Sequence, residues 1–256
     1  MDKRIGAQYY TIRESLKTIE DFELACKKIK DIGYKIVQIS GTPLGAAEMK
    51  EVLDKYGLKV VVTHRSFDDF KSDLGEIISY NKILGCEICG IGVMPDEAKA
   101  SVSGLNAFIR EMNEMAAKIR KEGMYFGYHN HHFEFIKIDG KCIMDRLIEE
   151  TNPENVVFIV DTYWLQVGGV NPVDYIKKLG SRAAAVHFKD YEAVVSYEQK
   201  STFCEVGKGN LDWDKIITVC EEVGCKWALV EQDVCVGDPF ECLKTSYEYL
   251  LTKGFA

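Results

Sequence analysis

The sequence predicts an α/β fold, a single-domain (β/α)8 TIM barrel over residues 1–256, on three observations. Short apolar runs rich in β-formers alternate with amphipathic helical stretches along the whole chain. The runs are continuously apolar rather than alternating, as expected of parallel strands covered on both faces. The alternation repeats eight times in 256 residues, the length of a barrel of eight such units. A doubly wound open sheet shares the alternation, but the count of eight favours the barrel.

The predicted strands are Ile5–Tyr10, Tyr34–Ser40, Lys59–His64, Glu87–Val93, Tyr125–His131, Val156–Asp161, Ala183–Lys189 and Trp227–Asp233. Between them, Thr18 and Asp21 read as an N-cap with its N3 carboxylate, followed by Ile19, Phe22, Cys26 and Ile29 at helical spacing. The stretch 97–122 reads as one helix with Phe108, Met112, Met115 and Ile119 on a face and Gly123 as its stop. Asp238 and Pro239 read as N-cap and N1 of a last helix carrying Phe240, Leu243, Tyr247 and Leu250. Two irregular insertions, Phe133–Lys141 and Tyr191–Leu211, follow the fifth and seventh strands, where barrel enzymes elaborate active-site loops.

Composition excludes several classes. The chain is 46% apolar and 28% charged with five prolines, which rules out a disordered or collagen-like chain. Lys and Arg number 32 against 40 Asp and Glu, a net charge of −8 with no basic cluster, so nucleic acid is not an expected partner. No run approaches the roughly 18 apolar residues of a membrane helix, and Met1-Asp2-Lys3-Arg4 leads into a strand rather than a signal-peptide core. Nine cysteines, an odd number, are read as reduced thiols, and the expected compartment is the cytoplasm.

Polar residues collect at the strand ends, which in a barrel share one mouth. They are Gln8, His64 and Arg65, the run His129-Asn130-His131-His132-Phe133-Glu134, Asp161, His187 with Lys189 and Asp190, and Glu231 with Asp233. Histidine with carboxylate is a ligand set for one divalent ion such as Mn, Mg, Co or Zn. A lone strand-end histidine such as His64 is commonly structural, but three histidines and a glutamate within six residues are hard to explain as packing. Asp161 is either a cap for the turn Thr162–Trp164 or a ligand. His187 and Glu231 each emerge from an apolar run, so each needs a partner to offset desolvation.

Other motifs are weaker. Cys86 and Cys89 have CxxC spacing without a second pair and read as buried structural thiols. Gly207-Lys208-Gly209-Asn210 lacks the spacing and the Ser/Thr of a phosphate loop and reads as a turn before a helix. Gly90-Ile91-Gly92 lacks the third glycine of a dinucleotide fingerprint, and no G-x-S-x-G elbow occurs.

Six segments together carry a resemblance: Ile5–Tyr10, Gly127–Phe135 (GYHNHHFEF), Val160–Trp164 (VDTYW), Val186–Asp190 (VHFKD), Val206–Trp213 and Val230–Asp233. The chain resembles the xylose-isomerase-like TIM barrels, the sugar phosphate isomerase/epimerase superfamily, over nearly its whole length. Relatives in that superfamily include inosose isomerases and dehydratases, ketose 3-epimerases, hydroxypyruvate isomerase and endonuclease IV.

The resemblance implies one divalent metal held by residues of strands five to eight. Asp161, His187 and Glu231 match the last three positions, and Glu134 is expected at the first, with His131 in reserve. It further implies isomerase or epimerase chemistry on a sugar, sugar phosphate or inosose through a metal-stabilised enediolate. Glu134 and Glu231 are the expected acid–base pair, with His131 beside them. His64, His129, Lys189, Arg65 and Trp164 are expected on the substrate, and Arg65 or Lys208 on a phosphate if there is one. A lyase of the inosose dehydratase type on the same site is the nearer alternative, and a binding barrel without turnover the further one. The trinuclear site of endonuclease IV needs more ligands than this chain offers. The expected partner is a small sugar or polyol, with a homo-oligomer possible.

Overall fold

The computed structural model describes residues 1–198 and 201–256. Eight parallel strands close into a barrel: β1 Ile5–Gln8, β2 Ile36–Ile39, β3 Lys59–Arg65, β4 Ile88–Ile91, β5 Tyr125–His129, β6 Val156–Asp161, β7 Ala183–Phe188 and β8 Trp227–Val230. Each pairs with its sequence neighbours, and β8 closes on β1 through Ile5 opposite Ala228 and Ala7 opposite Val230. All eight runs read from the sequence are strands; six end one to three residues short of the predicted polar tail, Val156–Asp161 ends where predicted, and Lys59–Arg65 runs one residue further.

The apolar side chains divide by strand face. Ile36, Ile88, Val157, Ile159, Ala185 and Leu229 fill the barrel, while the larger cluster lies between sheet and helices. The interior is tight enough to demand glycine at Gly127, where a Cβ would meet Ile159 Cδ1 and Ile88 Cγ2 at 2.8 Å.

The helices start where the sequence marks them. Thr18 accepts from Asp21 N and caps Ile19–Ile32, and Asp238 accepts from Phe240 N ahead of Pro239–Thr252. The stretch read as one helix is two, Asp96–Ala100 and Val102–Lys121. Ser101 is extended between them and accepts from Gly104 N as the second helix's N-cap. Its hydroxyl competes for backbone donors inside an otherwise helical pattern.

Both insertions stand at the C-terminal end of the barrel. The first forms a short ribbon, Lys137–Ile138 against Lys141–Cys142, and the second pairs Asp190–Ala193 with Ser201–Cys204. All nine cysteines are free thiols, Cys86 and Cys89 among the buried ones. Among the described residues no helix is long and apolar enough to cross a membrane.

Candidate metal centre at the barrel mouth

The polar ends of β5 to β8 converge. His129, Asp161, His187 and Glu231 each place a nitrogen or carboxylate oxygen within 4.8 Å of the others, and all four are buried. Each lies at or within one residue of the C-terminal end of its strand, so the barrel's closure brings them together.

Asp161 realises both readings the sequence left open. Its Oδ1 accepts from Trp164 N at 2.9 Å and caps Thr162–Val167, while Oδ2 faces the cluster. Asn130 fixes the strand end beneath it by accepting from Asp161 N at 3.0 Å. His129 donates Nδ1–H to the Gly92 carbonyl at 3.0 Å and turns Nε2 toward Asp161 Oδ2 at 3.4 Å. His187 donates Nε2–H to Gln38 Oε1 at 2.8 Å, which leaves Nδ1 2.9 Å from Glu231 Oε2 and buried without a hydrogen bond. An outer partner thus commits each imidazole to the tautomer whose free nitrogen faces carboxylate oxygen, the arrangement of metal-ligating histidines.

Charge supports the same conclusion. Lys189 Nζ lies 3.3 Å from Asp161 Oδ2, 3.3 Å from Glu231 Oε2 and 2.6 Å from Asp233 Oδ1. Asp161, Glu231 and Asp233 carry more negative charge than the one Lys189 ammonium balances when the histidines are neutral, an excess a divalent cation could offset. Without one, the excess falls on His187. Burial alone would depress its pKa, but Glu231 and Asp161 outweigh that and raise it to about 9. The donor set of two nitrogens and two carboxylates fits Mn, Mg, Co or Zn.

A cavity of about 450 Å³ opens over the cluster, lined by Gln8, His64, Arg65, His131, Lys189 and Asp233 among others. His64 lies beside His129 and His187 with ring centroids 5.4 and 5.9 Å away, and burial holds its pKa well below the usual value. His131 stacks on Phe133 and is likewise driven down, to about 3, by burial. Both are therefore neutral near pH 7. Arg65 lies over Tyr80, 3.6 Å from Glu76 and 3.9 Å from Asp69.

The structure places several of the expected site residues outside the cluster. Glu134 is not in the donor cluster. It is fully buried, with Oε1 accepting from the Tyr128 hydroxyl at 2.6 Å and Oε2 from His131 N at 2.9 Å. The turn Phe133–Phe135 carries it away from the cluster, in which His129 stands at the end of β5 and His131 is absent. Trp164 stands behind the cavity wall, its ring 5.1 Å from Lys189 Nζ and 5.3 Å from His131. Lys208 belongs to a turn built around Asp190, whose carboxylate accepts from the N–H of Gly207 and Gly209.

Sequence reasoning passed over Gln38, Ser40 and Gly92. A glutamine inside the run Ile36-Val37-Gln38-Ile39 was the available signal, since a polar residue in a fully buried strand needs a partner. The Gly92 contact uses a backbone carbonyl and has no sequence signature.

Comparison with known proteins then decides the family. The family model for xylose isomerase-like TIM barrels matches residues 26–239. The chain belongs to that family. An inosose dehydratase from Lacticaseibacillus casei is 23% identical over 265 residues, covering 90% of this chain and 88% of that protein. A sugar phosphate isomerase/epimerase from Parabacteroides distasonis superposes with a TM-score of 0.83 at 20% identity, covering 100% of this chain and 96% of the other. A xylose isomerase-like TIM barrel protein from Mycobacterium smegmatis, solved in complex with magnesium, has a TM-score of 0.74 at 15% identity, with 98% and 97% covered. This chain's relatives and structural neighbours carry the names inosose dehydratase, sugar phosphate isomerase/epimerase and D-allulose 3-epimerase, and the likeness in fold extends to the whole barrel.

Proposed function

We propose that this xylose isomerase-like barrel is a divalent-metal-dependent isomerase or epimerase that moves a proton on the carbon beside a carbonyl of a sugar, sugar phosphate or inosose. The observation that carries the reading is the convergence of His129, Asp161, His187 and Glu231 beneath a cavity large enough for a sugar. An ion held by those four would supply Lewis acidity to a carbonyl and its neighbouring hydroxyl.

The chain's own residues supply the rest. Glu231 is the proton acceptor at the cavity floor, and His131 on the cavity wall is the second acid–base group. His64, Arg65 and Lys189 bind substrate oxygens from the walls. Trp164 backs Lys189 and His131 and holds them in place. Glu134 positions His131 by accepting its backbone N–H rather than by meeting substrate.

A dehydratase is the second reading, favoured by the name of the Lacticaseibacillus casei relative. The same proton removal with loss of a β-hydroxyl gives it. Incubation of manganese-loaded protein with ketoses and inososes in deuterated water separates the outcomes. An isomer or epimer carrying deuterium at carbon supports the first reading, and a product lighter by one water supports the second. Ligand returned unchanged and without deuterium across the panel overturns both and leaves a binding barrel.

A further inference from the structure

Lys189 is an unusual wall for a cation site. Its side chain is almost fully buried, and its backbone is pinned on both sides by Thr162, whose Oγ1 accepts from Lys189 N at 3.1 Å and donates to Lys189 O at 2.8 Å. The ammonium sits 5.1 and 5.2 Å from the rings of Trp164 and Phe203. It contacts Asp161 Oδ2 and Glu231 Oε2, the same two oxygens that face the free nitrogens of His129 and His187. Its shortest contact is to Asp233, which lies outside the donor cluster.

We propose that Lys189 is a built-in cation that competes with a divalent metal for Asp161 and Glu231, and that Asp233 is the counter-charge that draws it away from them. This rests on the reading of the cluster as a metal centre. A fixed positive charge within a few ångströms of a second cation, in a buried site of low effective dielectric, weakens the binding of that cation. The same charge keeps the metal-free site folded by compensating carboxylates that would otherwise be buried and unpaired. Lys189 therefore trades metal affinity for stability of the empty protein, and the Lys189–Asp233 pair sets the balance.

The experiment is calorimetric titration of manganese(II) into wild type, Lys189→Met, Lys189→Arg and Asp233→Asn, with melting temperatures in chelator and in excess manganese. Lys189→Met is expected to bind manganese about tenfold more tightly, to melt lower in chelator and to gain more on adding metal. Asp233→Asn is expected to shift affinity about tenfold the other way, and Lys189→Arg to stay near wild type. A Lys189→Met protein that needs manganese to refold supports the proposal; one that binds manganese no better than wild type, or stays unfolded with it, overturns it. Wild type that binds manganese with neither variant changed sinks this inference alone. Manganese binding by Lys189→Met but not by wild type sustains the competition while removing the metal from the native reaction. No binding by any variant removes both.

Discussion

Gln38 Oε1 lies 2.8 Å from His187 Nε2, across the barrel from β2 to β7. The contact decides which histidine nitrogen faces Glu231. Gln38 is itself oriented, because its Nε2 faces Ser40 Oγ, which also receives Gln8 Nε2. A register shift between Val37 and Gln38 sits where this side chain turns inward.

Gln38→Leu is therefore expected to weaken manganese binding by roughly 10- to 100-fold, the usual cost of losing an outer partner of a ligating histidine. Gln38→Glu keeps an acceptor for Nε2–H and is expected to bind better than Gln38→Leu. Titration calorimetry checks both, and wild-type affinity in Gln38→Leu would show that the contact does not orient the ligand.

The contrast between Gln38 and Asp161 explains how far the sequence could be read. Strand positions and helix caps follow from local patterns, so β6 ending in Asp161 and the cap at Thr18 were both legible. Asp161, His187 and Glu231 were legible as well, because each ends an apolar run at one barrel face. The strand-five member was not. His129 ends β5 and Glu134 lies five residues further in the turn Phe133–Phe135, and only the backbone path between them decides which one faces the mouth. Contacts such as Gln38 to His187 span 149 residues and depend on barrel closure, which no local pattern encodes.

Asp161 and Glu231 separate metal binding from the fold. Asp161→Asn and Glu231→Gln each remove one negative charge from the cluster and are expected to lower metal affinity by about 100-fold, with turnover lost in both. Asp161→Asn keeps an oxygen for the Trp164 N–H, so the helix cap survives. Elemental analysis of the purified proteins should give about one divalent ion per chain in wild type and far less in each variant. Equal metal content in all three would show that these residues are not ligands.

Glu134 gives the pH dependence a sign. Burial pushes its pKa up to about 7 against the opposing hydrogen bonds from Tyr128 and His131. A carboxyl raised in the folded state favours folding fully below its ordinary value of 4.5 and loses that contribution as pH rises through 7. Relative to Glu134→Gln, whose amide does not titrate, wild type is expected to lose about 3 kcal/mol between pH 4.5 and pH 7. Urea unfolding of both proteins at pH 4.5 and pH 8 measures the difference. Parallel stability curves would show that the carboxyl is not held protonated.

Asp190 organises the second insertion from a fully buried position. Its carboxylate accepts from Tyr191 N at 2.8 Å, Gly207 N at 2.8 Å, Gly209 N at 3.1 Å, Leu211 N at 3.3 Å and Trp213 Nε1 at 2.7 Å. The packing leaves no slack, since a Cβ on Gly209 would lie 2.5 Å from Asp190 Oδ1. Asp190→Ala strands these donors and is expected to cost about 4 kcal/mol. Asp190→Asn keeps one acceptor oxygen and turns an amide toward the remaining donors, so it should cost less than alanine but remain destabilising. Because Lys189 is the preceding residue and the donor His187 lies on the same strand end, loosening this turn should also perturb manganese affinity. Urea unfolding and manganese titration of both variants test this. Alanine and asparagine variants of wild-type stability would mean that solvent replaces the carboxylate, and that the turn does not depend on it.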